Sequence, residues 1–322
     1  MNPRPAFIVG MQRSGTTLLA MILNASREVA VPPETHYFDL FWKKTIPPRS
    51  FLARSTFEHL ARAYLDTWHF DSLGLSGSEK DLLAAEAGRS GSHGLFLDRI
   101  LSLYAQQEGK LYWTEKTPGH ICYLDPIMAI FPNAKVIIVV RDPRDVFLSH
   151  KGVPWGVRNP VVLARQWRMT TRKALSASRS EWLLVRYEDL VARPEETIRL
   201  VTSFVGIPFE DQLLRFYETA GPNYDSAREP WKTRASSPID SSNIGKWRRG
   251  LRPVEGATIE AIASAEMSSL GYRGIGPGAT HGLSPLQALW ALQATFAPAY
   301  SIVRRSKRSS RDIGTGLVRW GR

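Results

Sequence analysis

Phe-Ile-Val-Gly-Met-Gln-Arg-Ser-Gly-Thr-Thr-Leu, residues 7–18, runs from an apolar strand through a loop framed by Gly10 and Gly15 into a helix start. Glycines at that spacing let the backbone close on an anion, and the following helix turns its free N–H groups toward it. The stretch predicts a phosphate cradle at the carboxyl end of a buried strand. Similar apolar runs at 136–140 and 182–186 predict further strands buried on both faces. Helical patterns separate them at 16–25, 57–66, 91–107, 125–131, 143–150, 161–178, 194–206, 209–219 and 254–270. This alternation predicts an α/β fold: a central, mainly parallel sheet between two helical layers, with right-handed crossovers and ligands at the carboxyl ends of the strands.

The cradle has the glycine spacing of a P-loop but not its lysine. Thr16 stands where a nucleoside triphosphatase needs Lys for the β- and γ-phosphates, and Arg13 inside the loop supplies the positive charge instead. The wording Arg-Ser-Gly-Thr-Thr resembles the 5′-phosphosulfate loop of sulfotransferases that use 3′-phosphoadenosine 5′-phosphosulfate, PAPS. A second stretch, Val-Ile-Ile-Val-Val-Arg-Asp-Pro-Arg-Asp-Val-Phe-Leu-Ser at 136–149, resembles that family's 3′-phosphate motif. A guanidinium fork at Arg141 and the Ser149 hydroxyl eight residues on suit a phosphate monoester. Three further stretches are similar: Val-Pro-Pro-Glu-Thr-His at 31–36, Trp-Leu-Leu-Val-Arg-Tyr-Glu-Asp-Leu at 182–190, and Ile-Gly-Lys-Trp-Arg-Arg-Gly at 244–250. The wording lies nearest the tyrosylprotein and carbohydrate sulfotransferases, over about residues 5–272.

The resemblance implies a P-loop-like three-layer α/β/α sulfotransferase domain over 1–275 and assigns roles. Arg13, Ser14, Gly15, Thr16 and Thr17 would hold the 5′-phosphate and sulfonate, with Arg13 the main charge stabiliser. Arg141 and Ser149 would bind the 3′-phosphate and Tyr187 would lie beside the nucleotide. Lys246, Arg248 and Arg249 are the cations of a segment that would close over the donor, and Gly245 replaces a serine of the tyrosylprotein enzymes. Lys116, in Trp-Thr-Glu-Lys-Thr-Pro, would reach the sulfonate or bridging oxygen. A hydroxyl acceptor must lose a proton, which calls for a nearby carboxylate or imidazole. Glu34 is the base by resemblance, and His36, standing where the relatives carry arginine, is a second candidate. His93, His120 and His150 are expected to be structural or solvent-facing.

The implied reaction moves the sulfonate of PAPS to a hydroxyl, less readily an amine, and releases adenosine 3′,5′-bisphosphate. The acceptor would be a carbohydrate, glycolipid, phenol or peptide. Metal is not expected, because no His, Cys or acidic cluster has ligand spacing. A P-loop kinase or nucleoside triphosphatase and a non-catalytic nucleotide-binding protein are the rivals. Thr16 with Arg141 and Ser149 argues against the first, whereas turnover alone separates the second. Segments 38–54 and 222–243, with Tyr37, Phe38, Phe41, Trp42, Tyr224 and Trp231, are candidates for the acceptor site or for ordinary packing. The longer one is a lid candidate.

The chain has 322 residues, 43% hydrophobic, enough for a sizeable core. Its single cysteine, Cys122, excludes an internal disulfide and fits a reducing compartment. The start, Met-Asn-Pro-Arg-Pro, leaves no room for a signal core, so the mature chain is expected to begin at Met1 in the cytoplasm. About half of the net charge of +12 lies in the last segment, where seven cations from Arg304 to Arg322 face only Asp312. No nucleic-acid reader motif accompanies it, so nucleic acid is not an expected partner. Residues 276–322 are expected to form a separate C-terminal element. Leu283 to Val303 carries no charge and precedes the basic run, which suits either a helix at the inner membrane face, in contact through 283–311, or a helix docked on the domain.

Overall fold

The apolar runs that end at Gly10 and Val140 fall in the middle of a five-stranded sheet, where both of their faces are covered, whereas the run at 182–186, expected to be buried on both faces, forms an edge strand in which only Val185 is buried. In the computed structural model, residues 5–45, 54–176, 179–219, 224–274 and 290 are described. The strands are β1 (Ala6–Gly10), β2 (Val29–Ala30), β3 (Tyr112–Lys116), β4 (Lys135–Val140) and β5 (Trp182–Arg186), in the order β2-β3-β1-β4-β5. Every neighbouring pair is parallel.

Alternate side chains of the central strands enter two separate cores, the consequence of the strand's period of two. Phe7, Val9, Val136, Ile138 and Val140 pack with Phe57, Phe96, Leu163, Trp167 and Ile259 from helices Arg54–Leu65, His93–Gln107, Pro160–Ser176 and Pro253–Ser269. Ala6, Ile8, Ile137 and Val139 pack instead with Leu19, Ile22, Ile198 and Val201 from helices Thr16–Asn24 and Pro194–Val205. The expected three layers follow directly.

The strand order reverses between β1 and β4, since the chain leaves β1 for β2 on one side and leaves β4 for β5 on the other. Such a reversal opens a crevice beyond the strand ends. The register pairs Gly10 with Val139 and Val140 with Arg186, so the loops after β1, β4 and β5 start level with one another. Gly10 is required by this closeness: a Cβ there would stand 2.3 Å from the Val139 carbonyl oxygen.

Several elements differ from expectation. Helix Gly77–Ser90 was not anticipated, and Gly91, expected to open a helix, closes it in the left-handed conformation with φ 58°, while Ser92 caps the next. The stretch 209–219 divides into a 3₁₀ turn at Asp211–Arg215 and a short helix at Phe216–Thr219. Segment 46–53, the boundary at 275, and the tail lie outside the described residues, Trp290 excepted. Trp290 packs against Val161, and its carbonyl accepts from Asn159 Nδ2 at 3.1 Å. No helix among the described residues is long and apolar enough to cross a membrane.

Candidate active site

A cavity of about 430 Å³ occupies the crevice, within the ~300–1,000 Å³ usual for small-ligand sites. Arg13, Gly15, Thr16, Thr17, Arg141, Ser149, Tyr187 and Lys246 all line it. Helix Thr16–Asn24 begins at Gly15 without a side-chain cap, which leaves its first amides free for an anion. Gly15 has φ 101°, and a Cβ there would meet Tyr187 Cδ2 at 2.5 Å. The loop backbone and the Tyr187 ring are thus in close contact. Arg141 lies over the same ring at 4.4 Å, donates to the Asn243 carbonyl at 2.8 Å and to the Arg13 carbonyl at 3.3 Å. Its Nε, like the Ser14 hydroxyl, is buried with no hydrogen-bond partner among the described residues. An orphaned guanidinium N–H is a standing demand for an acceptor.

Arg13 Nε donates to Ser149 Oγ at 3.0 Å. The serine expected at the 3′-phosphate therefore sits between the two anion motifs, in reach of the first loop. Asp145, one turn before it on helix Pro143–Lys151, accepts from the amides of Gly245 at 2.7 Å and Trp247 at 2.8 Å. That pair of bonds fastens the C-terminal segment over the cavity and sets Lys246 on its wall. Arg248 and Arg249 are exposed and do not line it, and Arg248 stacks on Trp247 at 4.5 Å.

Beside the cavity lies a buried ionic cluster. Glu34 Oε1 accepts from Lys116 Nζ at 2.8 Å and from Lys232 Nζ at 2.7 Å, and Lys232 also pairs with Glu229 at 2.8 Å. His36 Nε2 stands 3.2 Å from Glu34 Oε2, and its Nδ1 is 3.4 Å from Asp39 Oδ2. Burial alone would raise the Glu34 pKa. Lys116, Lys232 and then His36 outweigh it and hold the carboxyl well below the usual range. Burial likewise works against the Asp39 anion, but His36, His120 and Tyr123 bring it down to about 2. Lys116 is pushed down, chiefly by burial, whereas for Lys232 the opposing pull of Glu34 and Glu229 exceeds burial and raises it.

A second layer holds this cluster. Glu115 accepts from Thr35 Oγ1 at 2.8 Å and Thr117 Oγ1 at 2.6 Å, and its other oxygen meets His120 Nδ1 at 2.9 Å. Strand β3 is thereby tied to the segment carrying Glu34 and His36. His120 and His150 are buried. Tyr37, Phe38 and Phe41, candidates for an acceptor site, are core residues at 0%, 0% and 1% exposure, packed among Phe57, Tyr64 and Phe96. Trp231 does line the cavity, together with much of 231–243, so the lid candidate runs along the site. Sequence reasoning missed Lys232, Asp145 and Asn243. Only the location of Lys232 in the irregular segment could have drawn notice. Among the described residues no group of three or more His, Cys, Asp or Glu has metal-site geometry.

A family model described as the sulfotransferase family matches residues 5–211. The nodulation protein NoeE of Sinorhizobium fredii is 26% identical over 310 residues, covering 84% of this chain and 67% of that protein. Protein-tyrosine sulfotransferase 1 of Danio rerio is 26% identical over 277 residues, 83% of this chain and 71% of that one. Among solved structures, the sulfotransferase domain of the Synechococcus PCC 7002 olefin synthase superposes with a TM-score of 0.61 over 84% of this chain and 96% of that chain, at 24% identity.

Proposed function

The chain belongs to the sulfotransferase family, and from its site we propose that it transfers the sulfonate of PAPS to a hydroxyl acceptor and releases adenosine 3′,5′-bisphosphate. The observation that carries this reading is a single cavity lined by both anion motifs, Arg13 with Thr16 and Thr17 at one, Arg141 with Ser149 at the other. The fit is chemical as well as spatial. The uncapped helix start suits a 5′-phosphate and sulfonate, Arg141 Nε suits a phosphate monoester, and the Tyr187 side chain lines the cavity beside them.

Sulfuryl transfer forms a bond from the acceptor oxygen to sulfur as the bond to the bridging phosphate oxygen breaks. Arg13 and Lys116 would stabilise the charge that gathers on that oxygen, and the work is mostly positioning and electrostatics, by analogy with phosphoryl transfer. Glu34 would take the acceptor proton. His36, 3.2 Å from Glu34 and 3.4 Å from Asp39, would orient the carboxylate or serve as an alternative base. The acceptor class stays at a hydroxyl of a carbohydrate, glycolipid, phenol or peptide.

Incubation with ³⁵S-labelled PAPS and host extract tests the reading. A labelled product together with calorimetric binding of adenosine 3′,5′-bisphosphate is expected. Magnesium-dependent ATP turnover, or bisphosphate binding without transfer to any extract fraction, would overturn it.

A further inference from the structure

We propose that Lys232 is a second catalytic lysine, delivered to the donor cavity by the irregular segment 224–243, which shares Glu34 with Lys116 in the resting site and passes to the sulfonate and bridging oxygen of the bound donor as the acceptor hydroxyl arrives. This inference rests on the PAPS reading above.

Its basis is the occupancy of one carboxylate. Glu34 Oε1 receives two ammonium groups, at 2.8 and 2.7 Å, and Oε2 faces the His36 ring at 3.2 Å. A carboxylate has about four lone-pair sites, so three are engaged and both of those on Oε1 are taken. In that state Glu34 is a poor base, because a carboxylate flanked by two buried cations binds a proton weakly. A catalytic base has to regain basicity once substrates are bound, and here that requires the lysines to find another anion. The cavity supplies the place. Lys232 lines it beside Arg13, Thr16 and Trp231, and the Arg13 guanidinium reaches the Trp231 carbonyl at 3.4 Å.

The two lysines differ in a way that separates their parts. Lys116 is fully buried on β3, and its charge is opposed by burial and by Lys232. Lys232 is 7% exposed and keeps a private partner, Glu229, at 2.8 Å. It can release Glu34 and remain a paired cation. In the step itself the acceptor oxygen bonds to sulfur, and the electron pair of the breaking S–O bond stays on the 5′-phosphate oxygen. The acceptor proton passes to Glu34, and Lys232 faces the oxygen that gains charge. The groups facing Glu34 from all sides are Lys116, Lys232 and His36, with Arg13 and Glu229 beyond them.

The test compares wild type with Lys232→Met, with Lys232→Met/Glu229→Gln, which removes a charge of each sign, and with Lys232→Arg. Transfer is measured from PAPS to the acceptor fraction labelled in the extract experiment, and bisphosphate binding by calorimetry. In wild type the acid limb of kcat should lie at least one pH unit above that of kcat/KM for PAPS, because Lys232 leaves Glu34 once donor and acceptor are both bound. Both methionine variants should lose at least 30-fold in kcat, keep bisphosphate Kd within threefold, and bring the two limbs together. Lys232→Arg should recover tenfold of the loss. Unchanged kcat, or a loss with the two limbs still separate, would overturn the role of Lys232. Failure of wild type to bind the bisphosphate would instead overturn the donor reading itself.

Discussion

Replacing Arg141 by alanine tests the donor geometry most sharply. The guanidinium already donates to the carbonyls of Asn243 at 2.8 Å and Arg13 at 3.3 Å, and its Nε is the buried donor with no partner among the described residues. A 3′-phosphate can therefore gain one or two new charge-assisted bonds from it, each worth about 1.5–3 kcal/mol. Allowing for the exchange of existing bonds, the net is roughly 2–3 kcal/mol, or about 30- to 150-fold in Kd at 1.4 kcal/mol per decade. Loss of the stack on Tyr187 would weaken any adenosine ligand, so the absolute Kd is not the telling quantity. The telling quantity is the preference for adenosine 3′,5′-bisphosphate over adenosine 5′-monophosphate, read by calorimetry at constant salt. Arg141→Ala should collapse that preference by the stated factor, and Arg141→Lys should recover only part of it, having charge without a fork. A preference preserved within threefold in the alanine variant would refute the placement of the 3′-phosphate at Arg141.

Burial pushes the His93 imidazole down from 6.5 to about 4. The unfolded chain takes that proton first, so the stability is complete above pH 6.5 and is lost as pH falls from there through 4, by at most about 3 kcal/mol. Urea melts at pH 7 and 4.5 should show His93→Gln flattening this dependence. Gly15→Ala drives a Cβ to 2.5 Å from Tyr187 at φ 101°, so bisphosphate affinity should fall at least tenfold by calorimetry, and less in a Tyr187→Ala background. Asp145→Asn can keep only one of the bonds from Gly245 and Trp247, a loss of about 1–3 kcal/mol for the orphaned amide. Hydrogen exchange at those two amides should accelerate, with transfer slowed as Lys246 loosens.

Much of the cavity proposed for the donor was legible because its parts are local. A glycine-framed loop, a strand end followed by Arg141, and Ser149 two turns on are short patterns whose chemistry is carried by neighbours in sequence. The core strands were legible for a related reason: burial on both faces leaves an unbroken apolar run. Helix Gly77–Ser90 escaped because Gly77, Gly88 and many polar residues dilute its amphipathic pattern, although Ser76 and Glu79 form a capping box that could have marked its start. Lys232 escaped for a deeper reason. Its partner Glu34 lies 198 residues away, and the segment between Asp225 and Asn243 has only short 3₁₀ turns, so no periodicity announces which side chain points inward. The aromatics at 37–41 left both readings open: a dense aromatic run reads equally as a binding surface or a core, and only the packing of helices Arg54–Leu65 and His93–Gln107 against it decides.

Two described residues other than glycine take the left-handed conformation, Arg13 at φ 72° and His36 at φ 49°, and both belong to the site. The conformation costs an L-residue about 1–2 kcal/mol, so its retention at these two positions asks for a reason. At Arg13 the reversal turns the carbonyl to Arg141 at 3.3 Å while the side chain reaches Ser149 at 3.0 Å, joining the two anion motifs through one residue. At His36 it folds the ring back onto Glu34, two positions earlier, with the amide held by Thr117 Oγ1 at 3.3 Å. Glycine would adopt either conformation freely but brings no side chain. Arg13→Gly should accordingly exchange relieved strain against two lost hydrogen bonds and added freedom of the unfolded chain, terms of about 1 kcal/mol each. The net loss of about 2 kcal/mol should lower the melting temperature by no more than about 8 °C, since 1 kcal/mol corresponds to roughly 2–4 °C in a domain of this size class. Sulfonate transfer should fall at least 100-fold. A variant that unfolded well below wild type would mean that Arg13 holds the loop together rather than paying strain to present its charge.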